Sequence, residues 1–280
     1  MSVTLPSPFG LWIRDSELDP SLAVAAERAG FGTLWVGGSP DGSRLEPLLE
    51  ATEGLQIATG IVNIWTSPAA AIGATTLRLR ERFPGRFLLG IGAGHPERAD
   101  AAAGHPFAAI SRYLDELEAA GLPAAEVVIA ALGPRMLRLA GERTAGAHPY
   151  LTTPEHTRGA REILGAGPLL VPEQRVVLDT DPESARATAR AATRTPYLGL
   201  RNYRANLERL GFAPEELDEG GSDRLIDALA AWGDDAAIRA RVDAHLAAGA
   251  DQVAVQVLGE QPQAERIAAA GRALGLGEHG

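Results

Sequence analysis

Short apolar runs alternate with amphipathic segments along almost the whole chain. The apolar runs occupy residues 9–13, 33–36, 55–63, 87–91, 127–131, 146–150, 175–178 and 252–258. Runs of this length suit strands that are buried on both faces, and the longer segments between them carry the 3.6-residue spacing of helices. The alternation predicts parallel strands joined by helices.

Proline and capping side chains mark the starts of several predicted helices. Asp19-Pro20, Thr153-Pro154 and Asp181-Pro182 each place an acceptor side chain before a proline at the first helical position. Gly133-Pro134 begins a further helix. Eight strand–helix units predict an α/β protein with a (β/α)8 TIM barrel, expected to be a single domain over residues 1–280.

Two features of the pattern bear on this fold. An open doubly wound sheet is the alternative, but it requires a glycine cluster after the first strand, where Arg14-Asp15 stand instead. Residues 193–233 interrupt the alternation and are predicted to form a helical insertion. The barrel is therefore predicted to carry an insertion before its last strand.

Composition narrows the range of partners. The formal charge is −10 and all 26 basic residues are arginine, so no basic face for a nucleic acid is predicted. No apolar run reaches the roughly 18 residues that span a membrane, and the first residues lack the pattern of a signal peptide. We expect a soluble, cytoplasmic protein whose partner is a small-molecule substrate.

Residue types that are missing from the chain exclude several chemistries. Without cysteine there is no thiolate nucleophile, disulfide or cysteine-bound metal. Without lysine there is no Schiff base and no phosphate-loop lysine. No His-x-x-x-His pair or carboxylate cluster lies at one rim position, so no metal site is predicted.

Glycines and polar residues follow several predicted strands. In a barrel of this type the site is built by loops at the C-terminal ends of the strands. The residues at these ends are Gly37, Gly38, Asn63, Trp65, Gly92, Ala93, Gly94, His95, Gly133, His148 and Tyr150. Because glycine lets a ligand approach the backbone closely, this set favours a pocket for a broad planar ring with a polar tail.

Two histidines are the candidates for catalysis. His95 and His148 each follow a strand and precede a proline, and an imidazole near its own pKa suits the proton transfer that accompanies hydride transfer. The remaining histidines are assigned to helix starts or to the surface; they are His105, His156, His245 and His279. Trp12, Trp35 and Trp65 either wall an apolar pocket or pack in the core.

Several segments resemble the luciferase-like monooxygenase superfamily. They are residues 57–65 (IATGIVNIW), 84–96 (PGRFLLGIGAGHP) and 130–137 (AALGPRML). Residues 145–156 (AGAHPYLTTPEH) and 221–229 (GSDRLIDAL) resemble, more narrowly, a group of probable oxidoreductases that use the deazaflavin coenzyme F420. The likeness extends over nearly the whole chain, including the insertion.

The resemblance implies specific site residues. It places a bulge in the third strand, with a non-prolyl cis peptide bond between Gly60 and Ile61 that backs the deazaflavin ring. It also places the loop Gly92-Ala93-Gly94 against the ring or its tail. Asn63, at the end of the third strand, is a further candidate for cofactor binding. A homodimer is expected by the same analogy.

The helix that starts at Gly133-Pro134 is the candidate phosphate site. A helix start offers free N–H groups and a partial positive charge. Since Pro134 has no N–H, the expected donors to a cofactor phosphate are Gly133, Arg135 and Met136. The Arg135 guanidinium either joins them or is solvated, and an ordinary helix start is the alternative interpretation.

Three functions are compatible with these features. The first is an oxidoreductase that passes a hydride between F420 and an unidentified organic substrate. The second is an FMN-dependent monooxygenase of the same fold, and the third is a non-catalytic flavin-binding relative. A hydrolase that uses carboxylates is disfavoured, because Asp15 and Asp41 form no convincing acid pair.

Overall fold

The computed structural model describes residues 3–94 and 105–277. His95 and His279 lie outside these ranges, so the catalytic role assigned to His95 stays a prediction. The strands, in chain order, are β1 Phe9–Arg14, β2 Thr33–Gly37, β3 Gln56–Thr59, β4 Val62–Asn63, β5 Phe87–Gly92, β6 Val127–Ile129, β7 Gly146–Ala147, β8 Leu169–Leu170, β9 Glu173–Val177, β10 Ala230–Trp232 and β11 Val253–Leu258.

Helices follow the strands in the predicted alternation. They are α1 Pro20–Arg28, α2 Gly42–Ala51, α3 Ala69–Arg82, α4 Pro106–Ala119, α5 Pro134–Arg143, α6 Pro154–Leu164, α7 Pro182–Arg194, α8 Arg201–Arg209, α9 Asp223–Leu229, α10 Asp235–Ala247 and α11 Gln263–Ala273. The predicted caps are confirmed: the side chains of Asp19, Thr153 and Asp181 each accept a backbone N–H in the first turn of their helix.

The strands form one parallel sheet in the order β10-β9-β11-β1-β2-β3-β5-β6-β7-β8, with β4 paired to β5. β3 and β4 are the two halves of the third predicted strand and flank Gly60 and Ile61. β11 lies beside β1, so the last strand returns to the first.

The segment that contains β8 and β9 closes the barrel. β8 pairs with β7, and β9, which begins after two intervening residues, pairs with β11. This segment is hydrogen-bonded to the chain on each side of it. The Glu173 N–H donates to the Pro149 carbonyl, just after β7, at 2.8 Å, and the Ala254 N–H of β11 donates to the Pro172 carbonyl at 2.9 Å. The predicted (β/α)8 barrel is therefore confirmed as the fold, whereas the single-domain assignment over residues 1–280 stays a prediction.

Side chains alternate between the two faces of the sheet. Trp35, Ala58 and Leu88 form a cluster inside the barrel with residues of β6 and β11. Their neighbours Leu34 and Leu89 point the other way and join the larger core beneath the helices. The strands are thus buried on both faces, as their continuous apolar runs predicted.

The insertion differs from the prediction in one respect. Residues 193–233 contain helical segments, but Ala230–Trp232 is a strand, β10, that pairs with Arg175–Val177 of β9. The prediction of helix throughout the insertion is wrong at this point, because alanine favours helices in isolation and the strand pairing is tertiary. The insertion has a small core of its own, which packs on Leu151 and Tyr150 beyond β7.

Candidate active site

A cavity of about 670 Å³ opens at the C-terminal ends of the strands. Its volume is in the range of pockets for cofactors and drug-sized ligands. Small residues form much of its wall; they are Gly37, Gly38, Gly60, Ala93, Gly94, Ala130, Ala131 and Gly133. Because none carries more than a methyl group, a flat ligand can lie against the backbone here.

The segment between β3 and β4 forms part of this wall. The cis peptide bond predicted between Gly60 and Ile61 is present, and both residues line the cavity. The indole Nε1 of Trp12 donates a hydrogen bond to the Gly60 carbonyl oxygen at 3.2 Å. A Cβ atom on Gly60 would lie 2.8 Å from Nε2 of His148 and 3.0 Å from Nε1 of Trp12. This close packing explains why residue 60 is a glycine.

Ser39 holds the next part of the same segment. It was not predicted as a site residue. Its Oγ accepts the Asn63 N–H at 2.7 Å and lies 3.5 Å from the Ile61 carbonyl oxygen. Ser39 has φ of 66°, in the left-handed region that residues other than glycine adopt uncommonly. The available signal was its place after Gly37-Gly38 at the end of β2.

Gly92 supports the wall from behind. An ideal Cβ on Gly92 would lie 2.9 Å from the Ile61 side chain and 3.0 Å from the Ala130 Cβ. Gly92 is buried in β5 and is absent from the residues that line the cavity. Gly92 therefore packs behind Ile61, and its predicted contact with the cofactor stays a prediction.

Hydrogen bonds hold Asn63 beside the loop after β5. Its Oδ1 accepts the Trp65 N–H at 3.0 Å, and the Trp65 indole donates to the Ala93 carbonyl at 2.7 Å. A Cβ on Gly94, whose φ is 57°, would lie 2.8 Å from Asn63 Nδ2. These contacts bring Asn63, Ala93 and Gly94 together on one side of the cavity.

His148 lies deep in the cavity wall and is only 2% exposed. Its ring stacks on Trp35 with centroids 4.3 Å apart, and Nδ1 lies 2.7 Å from the Val171 carbonyl oxygen. Because a carbonyl only accepts, Nδ1 carries the proton and Nε2 is left as a buried acceptor without a partner. Burial lowers the pKa of His148 to about 4, so the imidazole is neutral at pH 7.

The start of α5 borders the cavity, as predicted. Gly133 and Met136 line it, and Gly133 precedes α5 without a side-chain cap. The Met136 N–H already bonds to the Gly133 carbonyl at 3.1 Å, whereas the N–H groups of Gly133 and Arg135 lie where a helix offers no internal partner. The Arg135 guanidinium lies 3.9 Å from the centre of the Phe107 ring, and Arg135 does not line the cavity.

Aromatic side chains wall the cavity toward the insertion. The ring centroids are 5.1 Å apart for Trp12 and Tyr150, 5.4 Å for Tyr150 and Tyr197, and 5.2 Å for Tyr197 and Tyr203. Tyr203 belongs to α8 and Tyr197 to the turn before it. The insertion therefore completes the cavity.

A buried ion pair stands behind Tyr150. Arg175 is fully buried and donates to the Tyr150 hydroxyl at 3.1 Å and to Thr193 Oγ1 at 2.7 Å. Its Nε lies 3.7 Å from Glu173 Oε1, and the other Glu173 oxygen accepts the Leu151 N–H at 2.9 Å. Burial raises the pKa of Glu173 to about 7, against the opposing effect of Arg175. This pair was not predicted from the sequence, where the available signal was two charged residues at alternate positions of one strand.

Two of the histidine assignments are wrong. His156 is 6% exposed and its Nε2 lies 2.9 Å from the Leu132 carbonyl oxygen, so it is a buried group beside the start of α5. His245 is fully buried and bonds to α6 through its Nδ1. Packing between α6 and α10 buries these helix faces, which local sequence does not disclose. His105 is exposed before α4, as predicted.

The tryptophans divide between the two readings that the sequence left open. Trp12 lines the cavity, whereas Trp35 is fully buried inside the barrel. Within residues 3–94 and 105–277 no group of three or more His, Asp or Glu side chains is arranged to hold a metal ion. In the same ranges no helix combines the length and apolarity needed to cross a bilayer.

The fold and cavity define a parallel (β/α)8 barrel with a ligand-sized site at the C-terminal ends of its strands. The family model for luciferase-like monooxygenases matches residues 20–120, which confirms the resemblance to that family read from the sequence. A curated 5,10-methylenetetrahydromethanopterin reductase from Methanolobus tindarius is 25% identical over 293 residues, covering 84% of this chain and 90% of that protein.

Solved structures share the fold. The coenzyme F420 dependent tetrahydromethanopterin reductase from Methanopyrus kandleri gives a TM-score of 0.74 at 17% identity, with 95% of this chain and 98% of that chain covered. An F420-dependent secondary alcohol dehydrogenase in complex with an F420-acetone adduct gives 0.75 at 14%, with 97% and 99% covered. The FMN-bound oxygenating constituent of 3,6-diketocamphane monooxygenase from Pseudomonas putida gives 0.70 at 13%, with 97% and 98% covered.

Proposed function

We propose that this protein is an oxidoreductase that binds coenzyme F420 in the 670 Å³ cavity and passes a hydride between that coenzyme and a small organic substrate. The observation that carries the proposal is the flat wall of glycine and alanine around Ile61, opposite an aromatic wall. The names of the reductase from Methanolobus tindarius and of two of the structural neighbours support the choice of a deazaflavin.

The residues present fit a ring with a phosphorylated tail. A ring fits beside Ile61, Ala93 and Gly94, where added side chains would close the space. The N–H groups at the start of α5 fit the negative charge of a tail. When bound, a deazaflavin supplies or takes up two electrons as a hydride.

The chain itself supplies orientation, exclusion of water and proton control. Trp12 and Ser39 hold the carbonyl and amide groups around Ile61, which fixes the wall against which a ring lies. Tyr197 and Tyr203 of the insertion cover the opposite side and keep water from the reacting atoms.

Proton transfer is proposed for His148, with His95 as the second candidate. His148 is neutral at pH 7, so it serves as an acceptor of a proton or hydrogen bond and not as a donor from Nε2. A shift of the Gly60 segment is needed to expose Nε2, because that atom is buried in the present arrangement. Burial also keeps Tyr150 neutral, since it raises the pKa of that hydroxyl well above its usual value.

A second candidate function is an FMN-dependent monooxygenase. The FMN complex among the structural neighbours favours it, because the same barrel holds a flavin there. The two functions differ in chemistry, since a flavin has a nitrogen where a deazaflavin has carbon and so forms a reactive adduct with oxygen. The substrate of either reaction is an organic molecule that fits the aromatic side of the cavity.

A fluorescence titration tests the proposal. Trp12 lines the cavity, so a bound ring is expected to quench its emission. Quenching by F420 at micromolar concentration supports the proposed function, quenching by FMN alone supports the monooxygenase, and quenching by neither contradicts both. Repeating the titration with Trp12→Phe identifies the cavity as the site, because the cavity-dependent part of the quenching is then lost.

We further propose that the protein is a homodimer, as the family resemblance implies. Sedimentation equilibrium tests this, and a mass of 29.3 kDa at micromolar concentration would contradict it.

A further inference from the structure

The inserted helix α8 extends one polar face along the rim of the cavity. Asn202, Asn206 and Arg209 are spaced by four and three residues, so they share one face of the helix. Asn202 lines the cavity at one end of this face. At the other end, Nη2 of Arg209 lies 3.8 Å from the Cβ position of Gly133. The insertion therefore brings a cation to the uncapped start of α5.

Asn206 lies beside that cation and has an unused donor. It is 2% exposed, and its Oδ1 accepts a hydrogen bond from Nη2 of Arg209 at 3.2 Å. This bond fixes the orientation of the amide. With the amide reversed, its NH2 group would face the Arg209 NH2 group, and both groups can only donate. Its Nδ2 is consequently a buried donor without a partner next to the guanidinium. An unpaired buried donor is costly, so a ligand acceptor is the expected partner.

His156 borders the same place from α6. Its Nε2 donates to the Leu132 carbonyl, which fixes the residue before Gly133, and its Nδ1 is buried without a partner. Burial lowers the pKa of His156, and the charge of Arg209 lowers it further. Helix α8 thus brings an unpaired amide donor and a positive charge to the start of α5, whereas the unpaired Nδ1 of His156 is an acceptor in this tautomer.

We propose that Arg209 and Asn206, together with the Gly133 and Arg135 N–H groups, form a subsite for a phosphate ester. A guanidinium, an amide donor and the N–H groups of a helix start are the groups that bind phosphate oxygens in proteins. Either the tail of a cofactor or a separate phosphorylated substrate can supply this group. The first source rests on the proposed function, and the second does not.

The test compares two pairs of ligands: FMN with riboflavin, which differ in one phosphate, and F420 with its deazaflavin precursor, which lacks the whole phosphate-containing tail. Dissociation constants are measured by tryptophan quenching for the wild type, Arg209→Gln and Arg112→Gln. Arg112 is the matched control, an exposed arginine on α4 whose Nε lies 3.8 Å from Glu116. In parallel, thermal unfolding is followed with millimolar inorganic phosphate, which needs no ring to bind.

If the subsite holds the cofactor tail, Arg209→Gln weakens binding of the phosphorylated ring about tenfold and leaves the phosphate-free ring unchanged. If it holds a separate substrate, FMN and riboflavin bind equally, and inorganic phosphate stabilises the wild type but not Arg209→Gln. Arg112→Gln behaves as the wild type in both cases.

The subsite is overturned if Arg209→Gln distinguishes the phosphorylated ring from the phosphate-free ring as the wild type does, and if inorganic phosphate stabilises both proteins equally. Arg209 is then only a solvated partner of Asn206. Because Arg209 is exposed, the variant is expected to fold. Asn206→Asp is a second check, since it keeps the bond to Arg209 and repels phosphate. A chain that binds no ring contradicts the proposed function alone, because the phosphate arm still reports on the subsite.

Discussion

The indole of Trp12 and the carbonyl of Gly60 are joined by a hydrogen bond of 3.2 Å between β1 and the segment after β3. The two residues are 48 positions apart in the chain, and both line the cavity. This contact fixes the direction of a carbonyl in the wall proposed for ring binding. It therefore connects the packing of the barrel to the shape of the site.

Trp12→Phe removes this hydrogen bond and keeps an aromatic ring in the wall. We expect the affinity for the ring ligand to fall about fivefold to tenfold, because a lost hydrogen bond costs about 1 kcal/mol. Equilibrium dialysis with F420 and FMN measures the change. Trp232→Phe is the matched control: its indole bonds to Asp227 at 2.7 Å, and Trp232 does not line the cavity. Equal effects of the two substitutions would contradict a role of Trp12 in the site.

Gly60→Ala introduces a methyl group where space is lacking. Its Cβ would lie 2.8 Å from His148 Nε2 and 3.0 Å from Trp12 Nε1, so one of these side chains must shift. We expect loss of ring binding and a destabilisation of about 1–3 kcal/mol, measured by dialysis and by urea unfolding. Gly159→Ala is the control, because no atom lies within 4 Å of its Cβ position. A Gly60→Ala protein that binds as the wild type would refute the packing argument.

Two substitutions of Ser39 separate its hydroxyl from its backbone conformation. Ser39→Ala loses the acceptor for the Asn63 N–H and keeps a side chain at φ of 66°. Ser39→Gly loses the same acceptor but suits a positive φ. We expect both variants to weaken ring binding severalfold. We expect Ser39→Ala to have a free energy of unfolding about 1 kcal/mol lower than Ser39→Gly, because alanine is strained at a positive φ. The hydroxyl has no role if Ser39→Gly retains wild-type affinity.

Stability is expected to fall in mild acid because two buried histidines are neutral. Burial lowers the pKa of His148 to about 4 and that of His245 to about 3, while the unfolded value is 6.5. Between pH 6.5 and these values the unfolded chain binds more protons than the folded chain. The stability that the neutral histidines contribute is therefore complete above pH 6.5 and is lost as the pH falls toward their folded pKa values. At pH 5 each histidine costs about 2 kcal/mol.

Urea unfolding at pH 7.5 and pH 5.0 measures this pH dependence. His245→Asn is expected to be less stable at pH 7.5, because it loses bonds to Thr157 and Gln174, but to show a smaller fall toward pH 5.0. His105→Asn is the control, since His105 is an exposed histidine outside the core. If the free energy of unfolding of His245→Asn falls from pH 7.5 to pH 5.0 by as much as that of the wild type, His245 does not titrate as proposed.

Local sequence was sufficient for much of the architecture. The apolar runs located the strands of the barrel, and Asp19, Thr153 and Asp181 were recognised as caps because capping depends on residues within one turn. The resemblance in residues 57–65 located the cis bond at Gly60 and Ile61. The rule that a barrel site lies at the C-terminal ends of the strands led to the cavity-lining residues Asn63, Ala93, Gly94 and Gly133.

Other parts of the site depended on contacts between distant residues. No periodic pattern shows that the Asn63 N–H bonds to Ser39 or that Arg209 approaches Gly133. The two charges at alternate positions of β9 were a local signal, but their pairing inside the barrel was not predictable from it. His156 and His245 were misassigned for the same reason, since only packing between helices buries them.

The sequence by itself determined the order of strands and helices, their starts and the exclusion of cysteine and lysine chemistry, because these follow from residue type and short-range spacing. Only the tertiary structure decided which side chains meet across the cavity, which histidines are buried and where the insertion lies. Those outcomes depend on desolvation and close packing between segments tens of residues apart, and neither quantity is a property of any one stretch of the chain.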